Sequence, residues 1–177
     1  RFMTAPLPVV MHIISSVIYS ILGAFQFSDS FRQNKPPWHR TSGKWLIPLG
    51  LISALSGIWM TLFYARPAMD GELIVANFDD HYLYAMRIMV GLMMTCFICL
   101  GLAAIRKRDI FRHCAWMIRA YALALGAGTQ VFTHIPWFVF TDLQSELSRT
   151  ICMGAGWVIN ALVAEWVISH KKRFANA

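Results

Sequence analysis

The sequence predicts an all-α fold, a polytopic transmembrane helical bundle of five helices forming one domain over residues 1–177. Two observations lead there. Hydrophobic residues make up 57% of the chain and charged residues 14%, with a mean hydropathy of +0.51, a balance outside that of a soluble domain. The apolar residues are also gathered into five continuous stretches, each of roughly 20 residues, about the span of a bilayer core. A β-barrel would instead alternate apolar and polar residues in segments of about half that length.

The five segments fall at about 7–27, 44–64, 81–105, 114–137 and 148–169. Between them lie breakers and charges: Asn34, Pro36 and Pro37; Pro67 and Gly71 with four acids; the basic run from Arg106 to Arg112; and Asp142 with Glu146. No loop is long enough for a further domain. Short loops rich in Lys and Arg stay on the cytoplasmic side of a membrane. Arg32, Lys35, Arg40 and Lys44, then Arg106, Lys107, Arg108 and Arg112, then Lys171, Lys172 and Arg173 all fall on one face. The other face has Arg1, Arg66 and Arg149 and carries Asp70, Glu72, Asp79, Asp80, Asp142 and Glu146. An odd helix count and these charges agree on an N-terminus outside and a C-terminus in the cytoplasm.

The net charge of +7 does not indicate nucleic acid, because the cations flank membrane segments and no basic aromatic groove accompanies them. Segment one is too long for a signal peptide and is interrupted by His12 and Gln26. The chain opens with Arg1 rather than Met, so further residues are expected before it. Of the cysteines at 96, 99, 114 and 152, only the first two have a motif-like spacing. Within a helix such thiols read as small packing residues, and no disulfide framework is indicated.

The informative residues are the polar ones a bilayer penalises. At about 1.5 Å of rise per residue, His12, His81 and His134 come near the outer ends of helices one, three and four. On the inner side His39 and His113 precede helices two and four, while Arg119 and Glu165 lie one to two turns inside the membrane, where they can pair. His12, Ser16, Tyr19, Gly23 and Gln26 recur at steps of three or four and share one face of helix one. Arg119, Gly126, Gln130 and His134 share a face of helix four, expected beside helix one or three. Small residues at four-residue spacing, such as Gly50 with Ala54 and Gly156 with Asn160 and Ala164, allow close helix approach.

Two neutral imidazoles on facing helices are what holds haem b in membrane cytochromes, and three can bind zinc or copper. A histidine can also donate to a quinone carbonyl and shuttle protons. His12, His81 and His134, with Gln130, are therefore the candidate cofactor-binding set, and the three histidines the candidate haem or metal ligands. The competing reading is interfacial anchoring, which His39 beside Trp38 and His113 near Trp116 fit well. Those two, with Arg119 and Glu165, form a candidate structural polar cluster.

The stretches Gly23-Ala24-Phe25-Gln26-Phe27, His39-Arg40 with Gly43, His113 through Trp116 to Leu123, and Asn160 through Val163-Ala164-Glu165-Trp166 together resemble the bacterial predicted membrane protein family called domain of unknown function 2306. The likeness covers nearly the whole chain. It implies that His12, His39, Arg40, His113, Arg119 and Glu165 occupy the family's characteristic polar positions, and that Gln130 stands where many relatives have Arg. Relatives often carry one more helix before this one. The family implies the fold and assigns no activity.

Two functions of different class follow as expectations. One is a redox membrane protein binding haem b or quinone; the other is a non-catalytic accessory subunit packed against a larger respiratory or photosynthetic complex. A transporter ranks third, since neither an internal repeat nor paired broken helices are evident. No Gly-x-Ser-x-Gly elbow, His-Glu-x-x-His helix or phosphate-cradling loop supports hydrolysis.

Overall fold

The computed structural model describes residues 6–64, 66–67, 73–74, 81–140, 142 and 144–175. Asp70, Glu72, Asp79, Asp80 and Arg1, which enter the charge asymmetry above, lie outside them. Five long helices make up the bundle: α1 (Pro6–Gln26), α3 (Pro36–Phe63), α4 (His81–Arg106), α5 (Ile110–Thr133) and α7 (Glu146–Ala175). Short helices α2 (Asp29–Asn34) and α6 (Ile135–Val139) lie between them, and β1 (Arg66–Pro67) pairs antiparallel with β2 (Leu73–Ile74).

Among the described residues four helices are long and apolar enough to cross a membrane, in α1, α3, α4 and α7. The fifth, α5, has 24 residues, about 36 Å at helical rise, but carries Arg112, Arg119 and Gln130. It returns alongside α4 after a tight turn. There Arg108 adopts φ 59°, and the amides of Arg108 and Asp109 bond back to the carbonyls of Ile105 and Ala104, closing α4 with a Schellman motif. The Asp109 carboxylate then accepts from the Arg112 amide 3.0 Å away and starts α5.

The elements differ from the sequence expectation at several points. Helix α3 begins at Pro36 rather than near Lys44, because Pro36 and Pro37 open a helix readily and its first two turns are polar. Helix α5 ends at Thr133, since Pro136 interrupts the backbone ladder and a separate short helix follows. Ser28 caps α2, a helix within the loop after segment one, by accepting from the Phe31 amide.

Antiparallel neighbours pack α1 on α3, α3 on α4, α4 on α5 and α5 on α7, so loops 27–35 and 107–109 and the end of α7 share one end, here termed the basic end. The core is built from Tyr19, Leu46, Ala54, Met94, Ile98, Ala120 and Leu123. Glycines set the helix spacing. A Cβ on Gly50 would come within 2.7 Å of the Tyr19 ring, one on Gly91 within 2.5 Å of Ile58, and one on Gly126 would overlap the Trp157 indole. Outward faces are apolar, as lipid contact requires: Ile13, Ile21, Leu55, Leu92, Leu162 and Trp166 are all exposed. Cys96 and Cys99 join them on the outer surface of α4, so they face outward rather than pack inside, and among the described residues all four thiols are free.

Gly126 and Gly128 therefore make a paired test. Gly126→Ala drives a methyl into Trp157 and costs about 1–3 kcal/mol, as overpacking does; Gly128→Ala, with nothing within 4 Å, leaves stability unchanged or slightly raised. Thermal unfolding of both variants in the same detergent separates them, and equal midpoints contradict the packing assignment.

Candidate functional site

The polar stripe of α1 meets α3. His12 Nδ1 lies 2.9 Å from the Ser53 carbonyl and 3.2 Å from Ser56 Oγ, and the Ser16 and Ser53 hydroxyls are 2.6 Å apart. A carbonyl only accepts, so Nδ1 carries the proton and the neutral ring presents a bare Nε2. Lower on the same face Tyr19 and Gly23 are buried, and Gln26 donates to Ser42 at 2.6 Å.

His12, Ser16 and Ser53 line a cavity of about 730 Å³ that is bordered by all five long helices and partly open to the outside, in the half of the bundle away from the basic end. That volume suits a small organic ligand, whose sites run from about 300 to 1,000 Å³. Most of the lining is apolar, including Ile58, Val90, Met94, Leu123 and Trp157. The lining also carries Arg87, in the second turn of α4, whose guanidinium donates to Met153 Sδ on α7 at 3.4 Å. Sequence reasoning passed over Arg87. An arginine this far inside an apolar helix was itself the signal, because such a group turns toward a cavity or a partner.

The other candidate residues lie elsewhere. His134 caps α5 and donates from Nδ1 to its own helix at Gln130 O, 2.9 Å away; His81 opens α4 and is exposed. Gln130 donates to the Met153 carbonyl at 3.0 Å and packs against Gly156. Of the proposed cofactor set, His12 alone lines the cavity. Among the described residues no three His, Cys, Asp or Glu side chains gather as metal ligands, so His12, His81 and His134 do not form a three-imidazole centre.

The face of α5 bearing Arg119, Gly126 and Gln130 turns to α7 instead of helix one or three as expected. Arg119 Nε and Nη2 donate to the two Glu165 oxygens at 2.5 and 2.8 Å, a bidentate pair, while the guanidinium also lies 4.7 Å from the Trp116 ring centre. Thr129 donates to Asn160 at 3.0 Å, and Thr133 to the Cys152 carbonyl at 2.6 Å. At the basic end His113 Nδ1 donates to Gly101 O at 2.9 Å. His39, whose buried Nδ1 has no hydrogen-bond partner among the described residues, is within electrostatic reach of Arg32, Arg40 and His113.

The family model described as predicted membrane protein (DUF2306) matches residues 9–168. The chain belongs to the DUF2306 family. No curated protein and no solved structure matches it. The matched region of this DUF2306 protein contains the whole cavity lining and the Arg119–Glu165 pair.

The ion pair yields a double-variant test. Glu165→Leu leaves the Arg119 guanidinium without its carboxylate among lipid-facing helices, where a lone charge is costly. Arg119→Leu with Glu165→Leu removes both charges and loses less stability than the Glu165→Leu single variant. Unfolding midpoints in detergent measure the order, and a double variant less stable than that single one contradicts it.

Proposed function

We propose that this multi-pass membrane protein is a redox subunit whose central cavity binds a membrane-dissolved quinone between His12 and Arg87. The observation that supports it is the cavity of about 730 Å³, apolar over most of its wall, with polar side chains that include His12, Ser16, Ser53, Thr61 and Arg87. A quinone ring suits such a lining, being a flat apolar body with two oxygens for polar groups to hold. The Arg87 guanidinium donates to a carbonyl oxygen, and the bare Nε2 of His12 accepts from the hydroxyl of the reduced form. The Ser16–Ser53 hydroxyl pair, beside the same imidazole, offers a route for the proton.

Haem b is favoured less. It needs two imidazoles converging from facing helices, and His12 is the one histidine lining this cavity, with His81 and His134 elsewhere. The test uses the purified protein in mild detergent titrated with a short-tailed benzoquinone. Saturable one-to-one binding is expected, weakened tenfold or more, about 1.4 kcal/mol, by His12→Ala and by Arg87→Met. Absence of saturable binding ends the quinone reading. A Soret band in the wild type that His12→Ala abolishes moves the assignment to haem, and firm co-purification with a larger complex without bound quinone moves it to an accessory subunit.

The same reading places the basic end in the cytoplasm of a bacterial inner membrane, since Arg32, Arg40, Arg106, Lys107 and Lys171 gather there. A phosphatase active only in the periplasm is expected to be silent when fused after Ala177, and an active fusion reverses the orientation.

A further inference from the structure

The seams between neighbouring helices are closed unevenly. His12 and Ser16 stitch α1 to α3, Ile58 fills the space over Gly91 between α3 and α4, and Met86 of α4 sits against Gly154 of α7. Trp157 over Gly126 closes α5 on α7. The seam between α1 and α5 is different. Near the basic end the Tyr121 ring lies on Gly23, where a Cβ would come within 2.6 Å, and its hydroxyl donates to the Ser20 carbonyl at 2.6 Å. Phe27 and Tyr19 pack on the same ring at 5.0 and 5.9 Å between centres.

Past this junction the two helices part. Val17 and Ile21 of α1 line the cavity and yet are 51% and 59% exposed. Leu125 and Gly128 of α5 also line it and are exposed, and a Cβ on Gly128 would meet no atom within 4 Å. A residue that faces both a cavity and the outside marks a break in the wall. The exposed lining residues at this break are all apolar, and it opens on the side faces of helices rather than at their ends, so it communicates with the acyl region of the bilayer. A charged or hydrated solute crossing it would lose its water with no polar partner in return.

We infer that the cavity is reached sideways from the lipid through the α1–α5 gap, and that its ligand is an amphiphile whose apolar tail stays in the gap beside Gly128 while its head reaches His12 and Arg87. The inference rests on the reading of the cavity as the site for a membrane-dissolved ligand. It adds the route and the ligand class, a tailed molecule rather than a bare ring taken from water. The tail needs the room that Gly128 leaves; the head does not.

The experiment compares a decyl-tailed benzoquinone with its methyl-substituted, tail-less counterpart, using the whole chain in lipid nanodiscs. Wild type is expected to bind the tailed probe at least tenfold more tightly. Gly128→Trp, which fills the gap, should weaken the tailed probe tenfold or more while changing the tail-less one less than threefold. Val17→Trp fills the gap from the opposite helix and should give the same split, which keeps the test decisive if the Gly128 variant does not fold. Undiminished tailed-probe binding in both Trp variants, alongside loss in His12→Ala, overturns the lateral route and leaves the quinone site standing. Wild type that binds neither probe overturns the site and the route together.

Discussion

Helix α5 is the constraint on which the bundle depends. Arg119, Thr129, Gln130 and Thr133 would be costly facing lipid, because no water is there to satisfy them. Helix α7 answers them in turn, with the Glu165 carboxylate, the Asn160 amide oxygen, and the backbone carbonyls of Met153 and Cys152. Close approach makes those bonds reachable, and Gly126 and Gly156 permit it, each lacking a side chain where Trp157 or Gln130 must lie. The polar residues and the glycines are thus two halves of one requirement. Without the close approach those polar groups would be left unsatisfied within a bilayer.

That zipper commits one face of α5 to α7 and a second to α4, where Met117 lies over Gly101. Helix α1 is held mainly by α3, through His12, Ser16 and Gln26, and touches α5 firmly only around Tyr121. The cavity is what remains between a helix fixed on one side of the bundle and a helix fixed on the other. Its polar lining follows from the same arrangement, since the imidazole that fastens α1 to α3 uses Nδ1 for the fastening and keeps Nε2 uncommitted to it.

How far the sequence disclosed this depends on the kind of information involved. The long helices were legible because apolar length is a one-dimensional property; the polar opening of α3 at Pro36–Gly43 was not, because it lies outside any apolar run. Spacing placed His12, Ser16, Tyr19, Gly23 and Gln26 on one face of α1, and that face does meet α3. Spacing also put Arg119, Gly126 and Gln130 on one face of α5 but could not say which helix stood opposite; the neighbour is α7 rather than helix one or three. His81 and His134 were grouped with His12 by distance along their helices, whereas rotation about the helix axis decides what a ring faces. Arg87 was readable and was passed over, its single charge lost among the apolar residues of α4. The cavity itself is a matter of spacing between helices, which no single helix records.

The division of labour among the seams bears on how such a site can work. If the α5–α7 interface had to open to admit a ligand, each passage would break hydrogen bonds and an ion pair inside lipid, where their loss is most costly. The gap between α1 and α5 asks for nothing of the kind, because Val17, Ile21, Leu125 and Gly128 contribute no polar group to be separated. Lipid chains and a ligand tail are interchangeable occupants of such a space, so exchange there leaves the polar stitching untouched. The groups that hold the bundle and those that border the gap are therefore different residues, and the gap stays open without weakening the seams that keep α5 in the membrane.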